Sequence, residues 1–162
     1  MSSQDDVCYV PYAFAYSNYS RTSSPKIIQY CDIPGMDSDS YSGAVLGGAG
    51  IGISARTKCP DYALDYAKYL CAPKYQSSEY YIHGGQPASL TAWQNSANDE
   101  DSNDFFSGTI ATMKNSYLRP TFSGFVHYFR DAGKQINACL RDETSILNTS
   151  NWLISNYSKL TG

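Results

Sequence analysis

The chain has 162 residues, enough for a domain with its own core, and 42% hydrophobic against 17% charged residues exclude a long disordered segment. Net charge is −3 and the 12 lysines and arginines are scattered, which excludes the basic face that a nucleic-acid partner demands. The five cysteines (Cys8, Cys31, Cys59, Cys71, Cys139) form no C-x-x-C pair, so zinc-ribbon and thioredoxin-like chemistry is unsupported, and the odd count leaves at least one thiol free.

The first residues, Met-Ser-Ser-Gln-Asp-Asp, lack the basic and apolar regions of a signal peptide, and no apolar run approaches the ~20 residues of a membrane span. Val7 to Tyr19 is almost entirely aromatic and small, with Pro11 breaking any simple strand and Ser17-Asn18 marking a turn. It belongs to a compositional excess of 15 tyrosines, which offer flat apolar faces tipped with a hydroxyl. Lys26 to Ile33 has the β-branched and aromatic content of a strand, closed by Pro34-Gly35, and Met36 to Ser42 reads as a polar loop.

Gly43 to Ser54 holds five of the 12 glycines, and Val45, Leu46, Ile51 and Ile53 predict a buried strand over Val45 to Ile53. The stretch is not a nucleotide loop. G-x-G-x-x-G from Gly48 fails at Ile53, and the phosphate-loop lysine is absent. Pro60 suits a first helical position, and the spacing predicts a helix over Asp61 to Ala72, stopped by Pro73 and packed beside the glycine strand. A second helix is expected over Lys74 to Ile82 and a helical turn over Ser89 to Gln94.

Asn98 to Asp104 is acidic and begins like a calcium loop, but its sixth position is Asp104 rather than Gly and its twelfth is Ile110 rather than Glu. The acids are therefore read as capping the following helix, and no metal is expected. Helices follow over Asp104 to Ser116, Gly124 to Arg141 and Glu143 to Leu160. Two or three strands are too few for so many helices to cover. His83 and His127 sit in no H-E-x-x-H, and there is no G-x-S-x-G elbow. No catalytic constellation is legible, although a spatial Cys–His pair remains open to the sequence.

The order of the motifs resembles the C-terminal portion of the family 1 extracellular solute-binding proteins, the sugar-binding components of ABC importers. The resembling residues are Pro11-Tyr-Ala-Phe-Ala-Tyr-Ser-Asn-Tyr19, Asp32-Ile-Pro34, Leu46-Gly-Gly-Ala-Gly-Ile-Gly-Ile-Ser54 and Pro60 to Leu70. Gly84-Gly-Gln-Pro87, Ala92-Trp93, Leu118-Arg-Pro120, Gly124-Phe125 and Ala132-Gly133 continue the series. The resemblance implies a helix-rich α/β fold of the periplasmic-binding-protein type II kind, truncated to the C-terminal part of two lobes. Residues 1–45 and 116–162 would be second-lobe segments, and 46–115 would cross to the first lobe.

It further implies a non-catalytic component that works outside the cytoplasm, periplasmic or extracellular at the membrane. It would have no cofactor, and its partners would be a carbohydrate or related small solute, permease subunits and a missing N-terminal lobe. Tyr12, Phe14 and Tyr16 match the family's aromatic stacking turn. Gly47 and Gly48 match a place where backbone amides approach the ligand, and Arg119 and Tyr128 match later cleft-lining segments. Together the aromatic turn and the glycines are expected to line one wall of an open cleft. A thiol hydrolase using one cysteine with His83 or His127, and a packing or interaction module with an exposed apolar face, are the alternative functions.

Overall fold

Phe105 and Phe106 are both fully buried and, with Tyr81 and Trp93, form a hydrophobic core cluster. The structure is a computed structural model that describes residues 8–11, 13–35 and 43–161, so Tyr12 and the expected loop over 36–42 lie outside the described residues. The chain forms two compact units, Met1–Leu118 and Arg119–Gly162.

In the first unit a 3-10 turn, Ser17–Tyr19, is followed by α1 (Pro60–Cys71), α2 (Pro73–Gln76), α3 (Glu79–Ile82), α4 (Leu90–Trp93), α5 (Ser96–Asp101) and α6 (Phe105–Lys114). Pro60 opens α1 at its first position, where the missing N–H costs nothing, and Pro73 ends it in the same way that it opens α2. The expected helix over 74–82 is two short helices, divided at Ser77-Ser78, where Ser78 leaves helical geometry (φ −127°, ψ −100°).

The acidic segment is itself helical. Asn95 caps α5 by accepting from the Ala97 and Asn98 amides, and Asp99 Oδ1 accepts from the Phe106 and Ser107 amides, each at 2.9 Å, which caps α6. That cap fixes the two phenylalanines where α3 and α4 deliver Tyr81 and Trp93. The rings meet edge to face: Phe105–Phe106 centroids are 5.1 Å apart, Trp93–Phe106 5.2 Å and Tyr30–Phe105 5.2 Å. The Trp93 indole donates to the Pro87 carbonyl at 2.7 Å, so its polar atom is satisfied inside the core.

The α/β expectation is corrected. Among the described residues there is no strand and no sheet, and this is not the two-lobed α/β architecture. Val45 to Ile53 forms no strand, and its ladder contact among the described residues is an isolated parallel bridge between Val45 and Tyr117. There Tyr117 N–H donates to Ala44 at 2.8 Å and Leu46 N–H donates to Tyr117 at 3.0 Å. Val45, Ile51 and Ile53 are exposed rather than buried. The expected strand over 26–33 likewise joins no ladder among the described residues; there the Ile28 amide donates to Tyr19 and the Ile33 amide to Thr112 Oγ1, both at 2.8 Å. A strand exists through its neighbour, and glycine at every second position from 48 to 52 supplies no side chain with which to hold one. Nor does α1 bury any residue; Ala63, Ala67 and Leu70 are half covered.

The second unit is a helical hairpin of α7 (Phe125–Leu140) and α8 (Ile146–Thr161). Tyr128 stacks on Trp152 with ring planes 8° apart, and Ala132 and Thr149 are the buried residues of the two helices. The turn between them is a Schellman cap: Glu143 N–H reaches the Ala138 carbonyl at 3.0 Å and Asp142 N–H the Cys139 carbonyl at 3.1 Å. Asp142 holds the left-handed position at φ 60°. Ser145 then caps α8, accepting from the Asn148 amide at 3.2 Å.

Candidate functional site

The aromatic turn is an exposed ledge on a polar clamp. Phe14 is 74% and Tyr16 53% exposed, with ring centroids 6.4 Å apart, and Tyr19 continues the row at 6.3 Å from Tyr16. Rings that stay outside a core need another reason to hold still, and the backbone between them supplies it. Ser17, fully buried, donates its amide to Gln86 Oε1 at 2.8 Å, and Gln86 Nε2 returns a bond to the Ala15 carbonyl at 3.3 Å. Asn18 Nδ2 donates to the Gly84 carbonyl at 3.0 Å, and Asn103 Nδ2 donates to the Ser20 carbonyl.

One step further on, the Arg21 guanidinium donates to the Tyr81 carbonyl and lies over the Tyr81 ring, 3.9 Å from its centroid. Tyr81 in turn donates its hydroxyl to Asp101 at 2.8 Å, and Thr22 donates to the other carboxylate oxygen at 2.7 Å. Burial, and then the hydrogen bond to Asp101, push the Tyr81 phenol up to about 12 against the opposing pull of Arg21. The ledge is thereby anchored to α3 and α5.

Gly47 meets this ledge. A Cβ built on it would stand 2.8 Å from Phe14 Cε1, so the ring rests on bare backbone. Gly48 faces open space, with nothing within 4 Å of its Cβ position. Phe14, Tyr16 and Gly47 are thus brought together, Gly48 is the next residue along the same backbone, and Tyr12 lies outside the described residues. Arg119 and Tyr128 belong to the second unit, where Arg119 is exposed. Tyr128 is engaged in packing: besides its stack on Trp152, its hydroxyl donates to the Leu153 carbonyl at 3.2 Å.

Sequence reasoning passed over Tyr19 and Gln86. Tyr19 follows Tyr16 at the spacing of one 3-10 turn, and Gln86 follows two glycines, which is the signal that a side chain there can reach back to a neighbouring loop.

Among the described residues no group of three or more potential ligands is placed to hold a metal ion. His83 lies 3.4 Å from the Glu79 carboxylate, and His127 Nδ1 lies 3.5 Å from Arg130 Nη2. The cysteines are unbridged; four are exposed and Cys139 is half-buried. No helix of the described residues is long and apolar enough to cross a membrane. Compared with known proteins, the chain matches no family model, no curated protein and no solved structure.

Proposed function

We propose that this chain is a non-catalytic carbohydrate-binding component of an ABC importer, one that captures a sugar outside the cytoplasm for delivery to a membrane permease. The observation that carries the reading is the clamped row of exposed rings, Phe14, Tyr16 and Tyr19, with Phe14 seated on Gly47. Sugar rings present C–H faces that stack on aromatic faces, and their hydroxyls seek the donors and acceptors of nearby polar groups and backbone. The order of sequence motifs supports the same reading.

The many exposed large side chains on α1, α7, α8 and the segment over 45–53 favour a chain that works with further polypeptide. One open ledge desolvates a sugar on one side only, so binding by this chain alone is weak, about millimolar or −4 kcal/mol. Calorimetry or NMR titration against a panel of sugars tests the reading. Shifts at Phe14 and Tyr16 that saturate near millimolar sugar and vanish in Phe14→Ala support it. No response to any sugar, or a response indifferent to Phe14→Ala, overturns it.

A further inference from the structure

α7 carries two apolar stripes, and the hairpin uses one. Tyr128, Ala132, Gln135 and Cys139 lie on the side turned to α8, where Ala132 is buried and the others are half-buried. Val126, Phe129, Gly133, Ile136 and Leu140 follow one another at alternating steps of three and four, the 3.5-residue repeat of a helix-to-helix seam. The four large members of that second stripe are between 45% and 79% exposed, and the Cβ position of Gly133 meets open space. The free flank of the stripe is basic. Arg130, Lys134 and Arg141 line a groove of about 580 Å³ together with Gly133, Asn137 and the acidic Glu143. Asp131 pairs with Lys134 at 2.9 Å and Arg130 at 3.6 Å and so offsets part of this charge.

We infer that the second stripe of α7 docks an amphipathic helix whose own apolar seam is flanked by acidic side chains that enter the groove beside Arg130, Lys134 and Arg141. Three features select this occupant. The alternating three-and-four spacing makes a narrow seam, which suits one helix better than the wide apolar face with which an interfacial helix enters lipid. Gly133 midway along the seam lets a partner backbone approach closely. The basic flank attracts acids and repels a second copy of itself, which disfavours pairing of α7 with α7 of another chain. The inference rests on the reading of the chain as one that works with further polypeptide and names the kind of element it meets.

The test uses the whole chain and two labelled synthetic helical peptides of three heptads. Both carry the same leucine seam; one has glutamate and the other lysine on its flanks. Fluorescence anisotropy is expected to show the glutamate peptide binding at least about tenfold tighter, a preference that shrinks as salt rises. Phe129→Glu with Ile136→Glu, both at exposed positions, is expected to abolish binding while the circular dichroism spectrum and thermal midpoint stay unchanged. Equal binding of the two peptides, no binding, or binding indifferent to the double variant overturns the inference. So does self-association of the chain removed by the same variant, or adsorption to anionic phosphatidylglycerol vesicles in place of the peptide. Sugar titration read at Phe14 reports on the proposed function separately, so failure of one is distinguished from failure of the other.

Discussion

Phe14 rests on Gly47: its Cε1 lies 2.8 Å from the point that a Cβ on the glycine would occupy. Gly47→Val is therefore expected to push the ring off its seat. Because Phe14 is mostly exposed, the ring swings into solvent at little cost, and stability measured by urea denaturation should stay within about 0.5 kcal/mol of the parent chain. The sugar-induced shift at Tyr16 should weaken about fivefold, the worth of one aromatic contact of ~1 kcal/mol. A large loss of stability with binding unchanged would reverse the roles assigned to the pair.

Gln86 is the hinge pin of the ledge. Gln86→Ala leaves the fully buried Ser17 amide without its acceptor, a loss of about 1–3 kcal/mol. Gln86→Glu keeps an acceptor for Ser17 but sets a carboxylate oxygen against the Ala15 carbonyl, so it too should fall below the parent. Urea denaturation measures both losses, and amide hydrogen exchange at Ser17 should accelerate most in Gln86→Ala.

Tyr81 gives the first unit an alkaline limit. Its folded phenol titrates at about 12, above the ordinary value of 10.0, so the native state favours the neutral form. That contribution is complete below pH 10 and is lost as pH rises through 12, where the buried phenolate faces the Asp101 carboxylate. Stability followed from pH 9 to 12 should fall over that interval, and Tyr81→Phe should flatten the fall while lowering stability at neutral pH by about 1 kcal/mol for the lost hydrogen bond. A slope unchanged in Tyr81→Phe would assign the alkaline limit elsewhere.

Asp142 occupies the left-handed position of the Schellman cap between α7 and α8, where a side chain costs roughly 1–2 kcal/mol and aspartate somewhat less. Asp142→Gly removes that strain and adds ~0.5–1 kcal/mol of unfolded-chain entropy, so a net gain of about 0.5 kcal/mol is expected in the second unit. Asp142→Val should lose more than 1 kcal/mol at the same position. Thermal denaturation followed by Trp152 fluorescence reads both.

The sequence by itself determined the long helices. Pro60 and Pro73 bound α1, the apolar spacing marks α6, α7 and α8, and each closes its hydrogen bonds within a few residues of chain, so local pattern suffices. It also marked Phe14 and Tyr16 as candidates, because a Pro-broken aromatic run followed by Ser-Asn is a turn wherever it lies. Tertiary structure alone decided whether the segments over 26–33 and 45–53 were strands, since a strand's bonds are made to distant chain. Here that chain is Tyr117 at one residue, with no ladder beyond it among the described residues. It alone decided that Phe105 and Phe106 close the core while Phe14 stays outside, and that Gln86, 69 residues from Ser17, clamps the ledge. Those outcomes depend on which surfaces meet, and neither residue type nor spacing encodes the meeting of segments so far apart in the chain.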